Sequence, residues 1–497
     1  MGTIVETTGG RLRGDARNGH EAFLNIPFAA PPVGALRFQP PLPASEWVGV
    51  READTFGPAC PQPESALPGM APGPEDEASC LNLNVYTPGV DDGQRPVLVW
   101  IHGGACTTGS NRQLIYDGGP LTRRGDVVVV SLNYRLGVLG WLTPGGDADG
   151  FAPNVGLQDQ VAGLRWVQEN IAAFGGDPNN VTIFGESAGG MSVTTLMATP
   201  SAKGLFHKAI AQSGAAQATL SPEQAREASQ VLLGALGMET LDVEALREKS
   251  VKELLAAQLK VTAQLQADRV MPWAPVMDGS VVPVHPLEAV RRGVASDIPL
   301  LVGSTADEWR LFTIAMPHHR SMESVDVAKR LAQRLSSLGG GDADEVLALY
   351  PDPEPWQVFD AIETDRVFWM PAIQLAEAQL AHQPLTFAYR FSWPSPAVRG
   401  MLGACHAVEL PFVFGTLDAP GMARFSGEGP AAEALALQVM DAWIAFARSG
   451  DPSHPGLPEW LAYDTSSRAT MDFAESSAAI AAPAEDRRRI WAEILAD

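Results

Sequence analysis

Short apolar runs rich in valine and isoleucine alternate along the chain with longer segments of helical periodicity. Runs of this length fit buried strands, and the alternation is typical of βα units around a mostly parallel sheet. The pattern therefore predicts an α/β fold. Its clearest strands are expected at Pro96–Ile101, Asp126–Leu132, Val181–Phe184, Lys208–Gln212, Pro299–Val302 and Leu385–Phe391.

Helical patterning is clearest in three regions. From Leu157 to Phe174, apolar residues recur near every third or fourth position until Gly175-Gly176 ends the pattern. We expect this helix to pack on the sheet. Pro222–Leu265 and Met322–Leu338 also carry helical patterns, which predict a helical cap on one side of the molecule.

The length of 497 residues would allow several domains, but a single sheet-centred α/β unit can also reach this size. We expect one domain over residues 1–497, with helical insertions at roughly 222–295 and 321–383. The content of 45% hydrophobic and 19% charged residues is ordinary for a globular protein that buries a large core.

The formal net charge of −23 argues against nucleic acid or an anionic membrane surface as a partner, because both attract a basic face. No run approaches eighteen apolar residues, so we expect no membrane span. The first residues lack the basic and apolar segments of a secretory signal, which favours a cytoplasmic location. The four cysteines lack the paired spacing of a zinc site, so no metal is implied.

The predicted strand Val181–Phe184 runs into Gly185-Glu186-Ser187-Ala188-Gly189, and a helix-compatible segment follows. A GxSxG pattern between a strand and a helix is typical of a nucleophile elbow, in which a tight turn presents the serine. The pattern alone arises easily in a glycine-rich chain. Its context makes Ser187 the candidate nucleophile.

A serine nucleophile needs a base, and the base needs a carboxylate that orients it. His406 follows the last predicted strand and an irregular extension, whereas His318 and His319 adjoin a proline in an expected surface turn. A buried structural histidine is the alternative for His406. The acid should follow a strand, and both Asp307 and Glu308 follow Pro299–Val302, so the pattern does not choose between them.

A tetrahedral intermediate also needs backbone N–H donors for its oxyanion. His102-Gly103-Gly104-Ala105 leaves the predicted strand Pro96–Ile101 and resembles the HGG-type turn that supplies such donors. The alternative is an ordinary glycine turn. The presence of this turn in the same chain as the nucleophile elbow favours its interpretation as a source of oxyanion donors.

Taken together, these motifs resemble those of the type-B carboxylesterases, the carboxylesterase and cholinesterase family, over nearly the whole chain. The resemblance implies an α/β-hydrolase fold and a serine esterase that needs no cofactor. Its further motifs are Ile26–Gly34, Leu36-Arg37-Phe38, Cys80–Tyr86, Asn133–Gly137 and Phe174–Pro178.

By this resemblance Glu308 is the acid and His406 the base. The implied oxyanion donors are Gly104, Ala105 and Ala188. Ser213 and Glu186 would support the triad, although a buried core serine is an equal alternative for Ser213. The chain departs from family members at Cys106 and Trp309, which together with Phe312 are candidate pocket residues.

The resemblance also bears on the substrate. Cholinesterases hold a quaternary ammonium group against an aromatic face from the loop between two N-terminal cysteines. Here the loop between Cys60 and Cys80 contains no Phe, Tyr or Trp, so we expect neutral alkyl or aryl esters as substrates and a monomeric enzyme. A disulfide between these cysteines, known in secreted relatives, is not expected in the cytoplasm. The alternatives are amide or thioester hydrolysis and, from another class, a non-catalytic cholinesterase-like binding protein.

Overall fold

The computed structural model describes residues 2–64, 71–144, 150–265 and 271–495. Within these ranges the strands are β1 (Ile4–Thr7), β2 (Gly10–Arg13), β3 (Asp15–Arg17), β4 (His20–Pro27), β5 (Val50–Glu52), β6 (Asn82–Thr87), β7 (Arg95–Ile101), β8 (Val128–Leu132), β9 (Gly176–Glu186), β10 (Lys208–Gln212), β11 (Leu300–Thr305), β12 (Thr386–Phe391), β13 (Thr470–Phe473) and β14 (Ala478–Ile480).

The α-helices of the same ranges are α1 (Gly119–Gly125), α2 (Gly137–Trp141), α3 (Val155–Asn170), α4 (Ala188–Met197), α5 (Pro222–Leu236), α6 (Val243–Glu248), α7 (Val251–Leu265), α8 (Pro286–Arg291), α9 (Arg310–Thr313), α10 (Ser324–Ser337), α11 (Ala343–Leu347), α12 (Pro355–Thr364), α13 (Met370–Leu380), α14 (Leu410–Phe414), α15 (Met422–Ser426), α16 (Pro430–Ser449) and α17 (Glu485–Ile494). A π-helical turn, Asp365–Trp369, joins α12 to α13. No helix in the described ranges is long and apolar enough to cross a membrane.

The main sheet of the described residues has the strand order β14-β13-β12-β11-β10-β9-β7-β8-β6-β4-β3. In this spatial order, each pair of neighbouring strands from β13 across to β8 is parallel. The pair β14–β13 at one edge and the pairs between β8, β6, β4 and β3 at the other are antiparallel. A smaller sheet has the order β1-β2-β5. The mostly parallel sheet expected from the sequence is therefore confirmed.

The middle positions of the central strands are buried and largely apolar, because both faces of the sheet are covered. Along β7, Val97, Val99 and Ile101 belong to one core cluster. Leu98 and Trp100, which point to the opposite face, belong to a second cluster. A parallel sheet with helices on both faces requires such continuous hydrophobic runs.

All six predicted strands are present: Lys208–Gln212 has the predicted bounds, and the other five have shifted ends. The strand expected from Asp126 begins at Val128, because Asp126 caps α1 in a left-handed conformation. The helix expected over Leu157–Phe174 is α3 followed by a 3₁₀ turn, and Gly175 ends it. The cap regions are helical as expected, although residues 266–270 lie outside the described ranges.

One prediction about exposure is wrong. His319 was expected on the surface together with His318, but its side chain is buried and its Nε2 lies 3.0 Å from Asp360 Oδ1. The ring also packs against Trp356 and Phe359. A buried carboxylate partner removes the cost of placing a polar ring in the interior.

A buried ion pair connects the loop after β8 to helix α3. Arg135 Nε and Nη2 donate to the two carboxylate oxygens of Asp159 at 2.8 and 2.7 Å, and the Arg135 backbone N–H adds a third hydrogen bond. The two side chains are 3% and 0% exposed. The pair fixes the path of the chain beneath the strand ends.

We predict that Asp159→Asn lowers the free energy of unfolding by about 3 kcal/mol, because it leaves the Arg135 charge buried without a counter-charge. The surface pair Arg124–Asp441, with side chains 33% and 34% exposed, provides the matched control. Asp441→Asn should cost at most about 1 kcal/mol. Urea unfolding of both variants measures the difference, and equal losses would contradict the prediction.

Candidate active site

Ser187 lies in a sharp turn between β9 and α4. Its backbone has φ 57° and ψ −126°, a strained conformation for a residue with a side chain. The Ser187 N–H donates to Gln212 O at 2.9 Å, which ties the turn to the neighbouring strand β10. Gly189 lets the start of α4 approach β7, since a Cβ there would lie 2.0 Å from Ile101 O. This is the geometry expected of a nucleophile elbow.

The structure brings His406 and Glu308 into direct contact. His406 Nδ1 lies 2.5 Å from Glu308 Oε2, and both side chains are buried. Glu308 Oε1 accepts a hydrogen bond from the Thr305 N–H at 2.8 Å. One oxygen of the carboxylate is thus held by the end of β11, and the other faces the imidazole.

Asp307, the alternative acid, points elsewhere. Its Oδ2 accepts a hydrogen bond from the Ala404 N–H at 2.9 Å, and its Oδ1 pairs with Arg310 Nη2 at 2.8 Å. Asp307 therefore holds the chain just before His406 instead of contacting the ring. The sequence pattern did not choose between Asp307 and Glu308 as the acid. In the structure the two side chains point in different directions, and of the two only Glu308 faces the imidazole.

The second ring nitrogen of His406 faces the residue before the serine. His406 Nε2 lies 3.0 Å from Glu186 Oε1. Among the described residues, no hydrogen bond joins the Ser187 hydroxyl to the imidazole. The structure therefore places the imidazole between two carboxylates, with the elbow serine adjacent to one of them.

Burial alone would lower the pKa of His406, but the negative charges of Glu186, Glu308 and Glu409 together raise it to about 9. Burial also raises the pKa of Glu186, to about 7, although the His406 charge opposes this shift. The charge of Glu186 is thus one of the causes of the raised pKa of the imidazole that it contacts.

The glycine turn after β7 packs directly on the elbow. A Cβ at Gly103 would lie 2.6 Å from Glu186 O and 3.1 Å from Ser187 Cβ, so a side chain would not fit there. Ala105 and Cys106 follow with φ values of 53° and 58°. The peptide groups after Gly103 therefore run close to the serine.

Three N–H groups at this point are free to bind a ligand. Within the described ranges, no backbone hydrogen bond uses the N–H of Gly104, Ala105 or Ala188. His102 stabilises the turn, with Nδ1 2.8 Å from Gly103 O and its ring stacked on Tyr134. Burial lowers the pKa of His102 to about 4, so this ring is neutral near pH 7.

Aromatic side chains pack on the face of the His406 ring. The centroids of Phe312 and Phe368 lie 5.0 and 4.9 Å from the imidazole, and the two phenyl rings stack on each other at 6.0 Å. Trp309 packs against Phe312 at 5.1 Å. Cys106, in contrast, is 1% exposed and lies in the core behind the turn.

Two of these contacts involve residues that sequence reasoning missed. Phe368 lies in the π-helical turn, and no local pattern distinguishes it from a core residue. Glu409 follows His406 by three residues, and burial with the charges of Glu186 and Glu308 raises its pKa well above the usual range. His406 and Glu409 are joined by a turn in which Ala407 has a φ of 66°, so no local pattern connects them in the sequence.

Ser213 occupies the end of β10 behind the elbow. Its N–H donates to Gly303 O at 2.8 Å, and its φ is 45°. Its hydroxyl is buried and has no hydrogen-bonding partner among the described residues. The structure thus brings Ser213 to the site without a hydrogen bond to Glu308. No group of three or more metal-ligating side chains is found in the described ranges.

Comparison with known proteins identifies the family of the chain. Residues 1–491 match the carboxylesterase family. The chain is 41% identical to para-nitrobenzyl esterase of Bacillus subtilis (strain 168) over 94% of both chains. It is 37% identical to phenmedipham hydrolase of Pseudarthrobacter oxydans over 96% of both chains. The crystal structure of a Geobacillus stearothermophilus carboxylesterase, 41% identical, superposes with a TM-score of 0.88 over 98% of this chain and 100% of the other. The chain therefore belongs to the carboxylesterase family, with the α/β-hydrolase fold, and is a carboxylic ester hydrolase.

Proposed function

We propose that the chain hydrolyses neutral alkyl or aryl carboxylic esters through an acyl-enzyme intermediate on Ser187. The observation that carries this proposal is the contact of His406 Nδ1 with the buried carboxylate of Glu308, while Nε2 faces the residue next to Ser187. Serine acyl transfer requires a base that a carboxylate orients through one ring nitrogen and that accepts the serine proton on the other.

In the proposed reaction, His406 Nε2 takes the proton of the Ser187 hydroxyl as its oxygen attacks the ester carbonyl. Nε2 contacts Glu186, and Ser187 is the next residue in the chain. In this step Nε2 exchanges its contact with Glu186 for a hydrogen bond to the Ser187 hydroxyl. The carbonyl oxygen gains a negative charge, which the N–H groups of Gly104, Ala105 and Ala188 stabilise.

Collapse of the tetrahedral intermediate expels the alcohol, which takes the proton from His406 Nε2. A water molecule then attacks the acyl-enzyme while the same nitrogen removes its proton. The second tetrahedral intermediate collapses by breaking the bond to the Ser187 oxygen, which takes the proton back from His406 as the carboxylic acid leaves. Glu308 holds the ring through Nδ1 and stabilises its charged form in both steps.

The preference for neutral esters is supported by the loop between Cys60 and Cys80, because an aromatic face from that loop is what would hold a substrate cation. The loop between Cys60 and Cys80 contains no aromatic residue, although residues 65–70 lie outside the described ranges.

Three of the four acidic residues of that loop have partners of their own, and the fourth, Glu64, is exposed. Glu77 pairs with Arg37 at 2.5 Å, and Asp76 accepts a hydrogen bond from the Ser79 hydroxyl. Glu75 accepts a hydrogen bond from the Gln62 N–H. These carboxylates are thus poor candidates for binding a substrate cation.

We further propose that residues 1–497 form one domain with helical insertions at roughly 222–295 and 321–383. The continuous sheet from β3 to β14 supports this arrangement, because its strands come from both ends of the described chain.

We predict that kcat/KM for neutral 3,3-dimethylbutyl butyrate equals or exceeds that for butyrylcholine at physiological ionic strength. A desolvated cation–π contact worth about 2 kcal/mol would give the choline ester an advantage of roughly thirtyfold.

Amide and thioester analogues measured in parallel test the alternative activities. Ser187→Ala is the control and should lower kcat at least about a thousandfold. A tenfold preference for butyrylcholine would contradict the substrate assignment.

We predict that Glu308→Gln lowers kcat far more than Asp307→Asn, because of these two neighbours only Glu308 contacts the imidazole. The expected loss for Glu308→Gln is roughly a thousandfold or more, since a misoriented ring cannot accept the serine proton. Asp307→Asn should cost no more than about tenfold, through looser packing of the chain before His406. Steady-state kinetics on one p-nitrophenyl ester measures both, and the reverse order would refute the assignment of the acid.

We predict that Glu186→Gln moves the acidic limb of the pH profile of kcat/KM to lower pH by about one unit or more. The reason is electrostatic: the Glu186 carboxylate favours the charged imidazolium, and glutamine does not. The base must be neutral, so a lower His406 pKa extends activity to more acidic conditions. The exposed residue Glu64 supplies the control, since Glu64→Gln should leave the profile unmoved. An unchanged limb in Glu186→Gln would show that this carboxylate does not control His406.

A further inference from the structure

The turn after β7 has a backbone conformation that it would not keep by itself. The φ values are 109° at Gly104, 53° at Ala105 and 58° at Cys106. Residues with side chains are strained in this region, and they stay there only where the surrounding structure holds them. Ala105 is exposed, so the contacts that hold the turn have to come from the protein behind it.

The carbonyl groups of the turn are held on the side away from its free N–H groups. In a planar trans peptide the carbonyl points opposite to the N–H of the next residue, so fixing one directs the other. Gly103 O lies 2.8 Å from His102 Nδ1 and shares its peptide group with the Gly104 N–H. Gly104 O accepts hydrogen bonds from the Thr108 N–H at 2.9 Å and the Thr108 hydroxyl at 3.1 Å, and its peptide group carries the Ala105 N–H.

The segment after β8 holds both ends of this turn. The Tyr134 hydroxyl donates to His102 O at 2.7 Å, and the Gly137 N–H donates to Cys106 O at 2.7 Å. The Tyr134 ring also stacks on the His102 imidazole, with centroids 4.5 Å apart and planes inclined by 19°. Burial raises the pKa of Tyr134 well above its usual range, so the hydroxyl keeps its proton and remains a donor. Tyr134 thus holds both the backbone of His102 and the ring that contacts Gly103 O.

Helices fix the position of this segment independently of the turn. The Arg135 backbone N–H and guanidinium bind the Asp159 carboxylate on α3. The Val138 N–H donates to Gln258 Oε1 on α7 at 2.8 Å. Tyr134 therefore reaches the turn from a rigid support, which is what precise placement of a reactive group requires.

We propose that Tyr134 is a positioning residue for ester hydrolysis, because its hydroxyl and ring hold the turn in the shape in which the Gly104 and Ala105 N–H groups bind the oxyanion. Thr108 is a second positioning residue, and it acts through Gly104 O on the Ala105 N–H. The inference rests on the proposed role of these N–H groups as oxyanion donors.

This role predicts a specific kinetic effect. Oxyanion donors bind the negative oxygen of the transition state more strongly than the neutral carbonyl of the substrate. A turn that has lost its support should therefore bind the transition state less tightly while substrate binding changes little. Loss of general packing around the site would weaken both.

The test uses 1,1,1-trifluoro-4-phenylbutan-2-one as an inhibitor and p-nitrophenyl 3-phenylpropanoate, which has the same acyl group, as the substrate. In the adduct the Ser187 oxygen bonds to the ketone carbon, the carbonyl electron pair moves to its oxygen, and the serine proton goes to His406. The measured quantity is the ratio of the inhibition constant of the ketone to the KM of the ester. Neither constant depends on the fraction of folded enzyme, so the ratio can be compared between variants.

We expect Tyr134→Phe, which removes the hydroxyl and keeps the stacked ring, to raise this ratio roughly tenfold. The kcat should fall by a similar factor, and KM should stay within about twofold. Thr108→Val should raise the ratio about threefold, because the Thr108 N–H still donates to Gly104 O.

Tyr463→Phe is the matched control, since it also removes a hydroxyl from a buried tyrosine. The Tyr463 hydroxyl donates to Glu377 at 3.3 Å, and the Tyr463 N–H donates to Thr386 O at the first residue of β12. The start of this strand lies at the edge of the sheet opposite the candidate site. We expect the ratio of this variant to equal that of the wild type.

The outcomes separate this inference from the proposed function. If Ser187→Ala binds the ketone as tightly as the wild type does, no adduct forms on this serine and the proposed function fails. If Ser187→Ala loses the ketone but Tyr134→Phe keeps the wild-type ratio, the nucleophile stands and the positioning role of Tyr134 is wrong. An equal rise of the ratio in Tyr463→Phe would also overturn that role, because the effect would then not depend on the turn. An unchanged ratio in Thr108→Val would refute the role of Thr108.

Discussion

Parallel hydrogen bonding between neighbouring strands determines where the reactive groups of this enzyme lie. Because β7, β9, β10, β11 and β12 run in one direction, their carboxyl ends meet at a single edge of the sheet. Each of these ends leads into a residue or turn of the candidate site. In strand order they are the turn at His102, then Ser187, Ser213, Glu308 and, after a longer connection, His406. Glu186 and His406, which are 220 positions apart in the chain, thus lie 3.0 Å from each other.

The second constraint is the cost of keeping charge away from water. His406 has three acidic side chains around it, from Glu186, Glu308 and Glu409, and all are buried. Burial and the charges of Glu186 and Glu308 raise the pKa of Glu409 well above its usual range, so this carboxyl group holds its proton more firmly than an exposed glutamate does. Neither of its oxygens has a partner among the described residues, which is the kind of site where proteins keep ordered water.

Local patterns predicted much of this arrangement but could not supply the long-range contacts. The strand before Ser187 and the turn at Gly103 have sequence signatures, because tight backbone geometry restricts which residues fit. The choice of Glu308 over Asp307 came only from family resemblance, since adjacent side chains share one local context. Phe368 reaches His406 by tertiary packing, which no local pattern records. The burial of His319 was missed for the same reason, because its partner Asp360 belongs to another helix.

The edge strands β1, β3, β5 and β14 are three or four residues long, too short to give a clear period. The cytoplasmic location and the monomeric state stay predictions.

The left-handed backbone at Ala105 and Cys106 limits how this enzyme can be redesigned. Two consecutive residues with φ values near 55° exclude β-branched side chains, because the Cβ substituents would collide with the adjacent peptide groups. A mutant library at these two positions would therefore retain mainly glycine, asparagine and small residues. Variation in substrate range should instead come from the aromatic residues beside His406. Phe312 there lies on the helical backbone of α9, which accepts most side chains, and it is 40% exposed. Directed evolution of this scaffold should begin there, with Phe312 and its neighbours, and leave the turn unchanged.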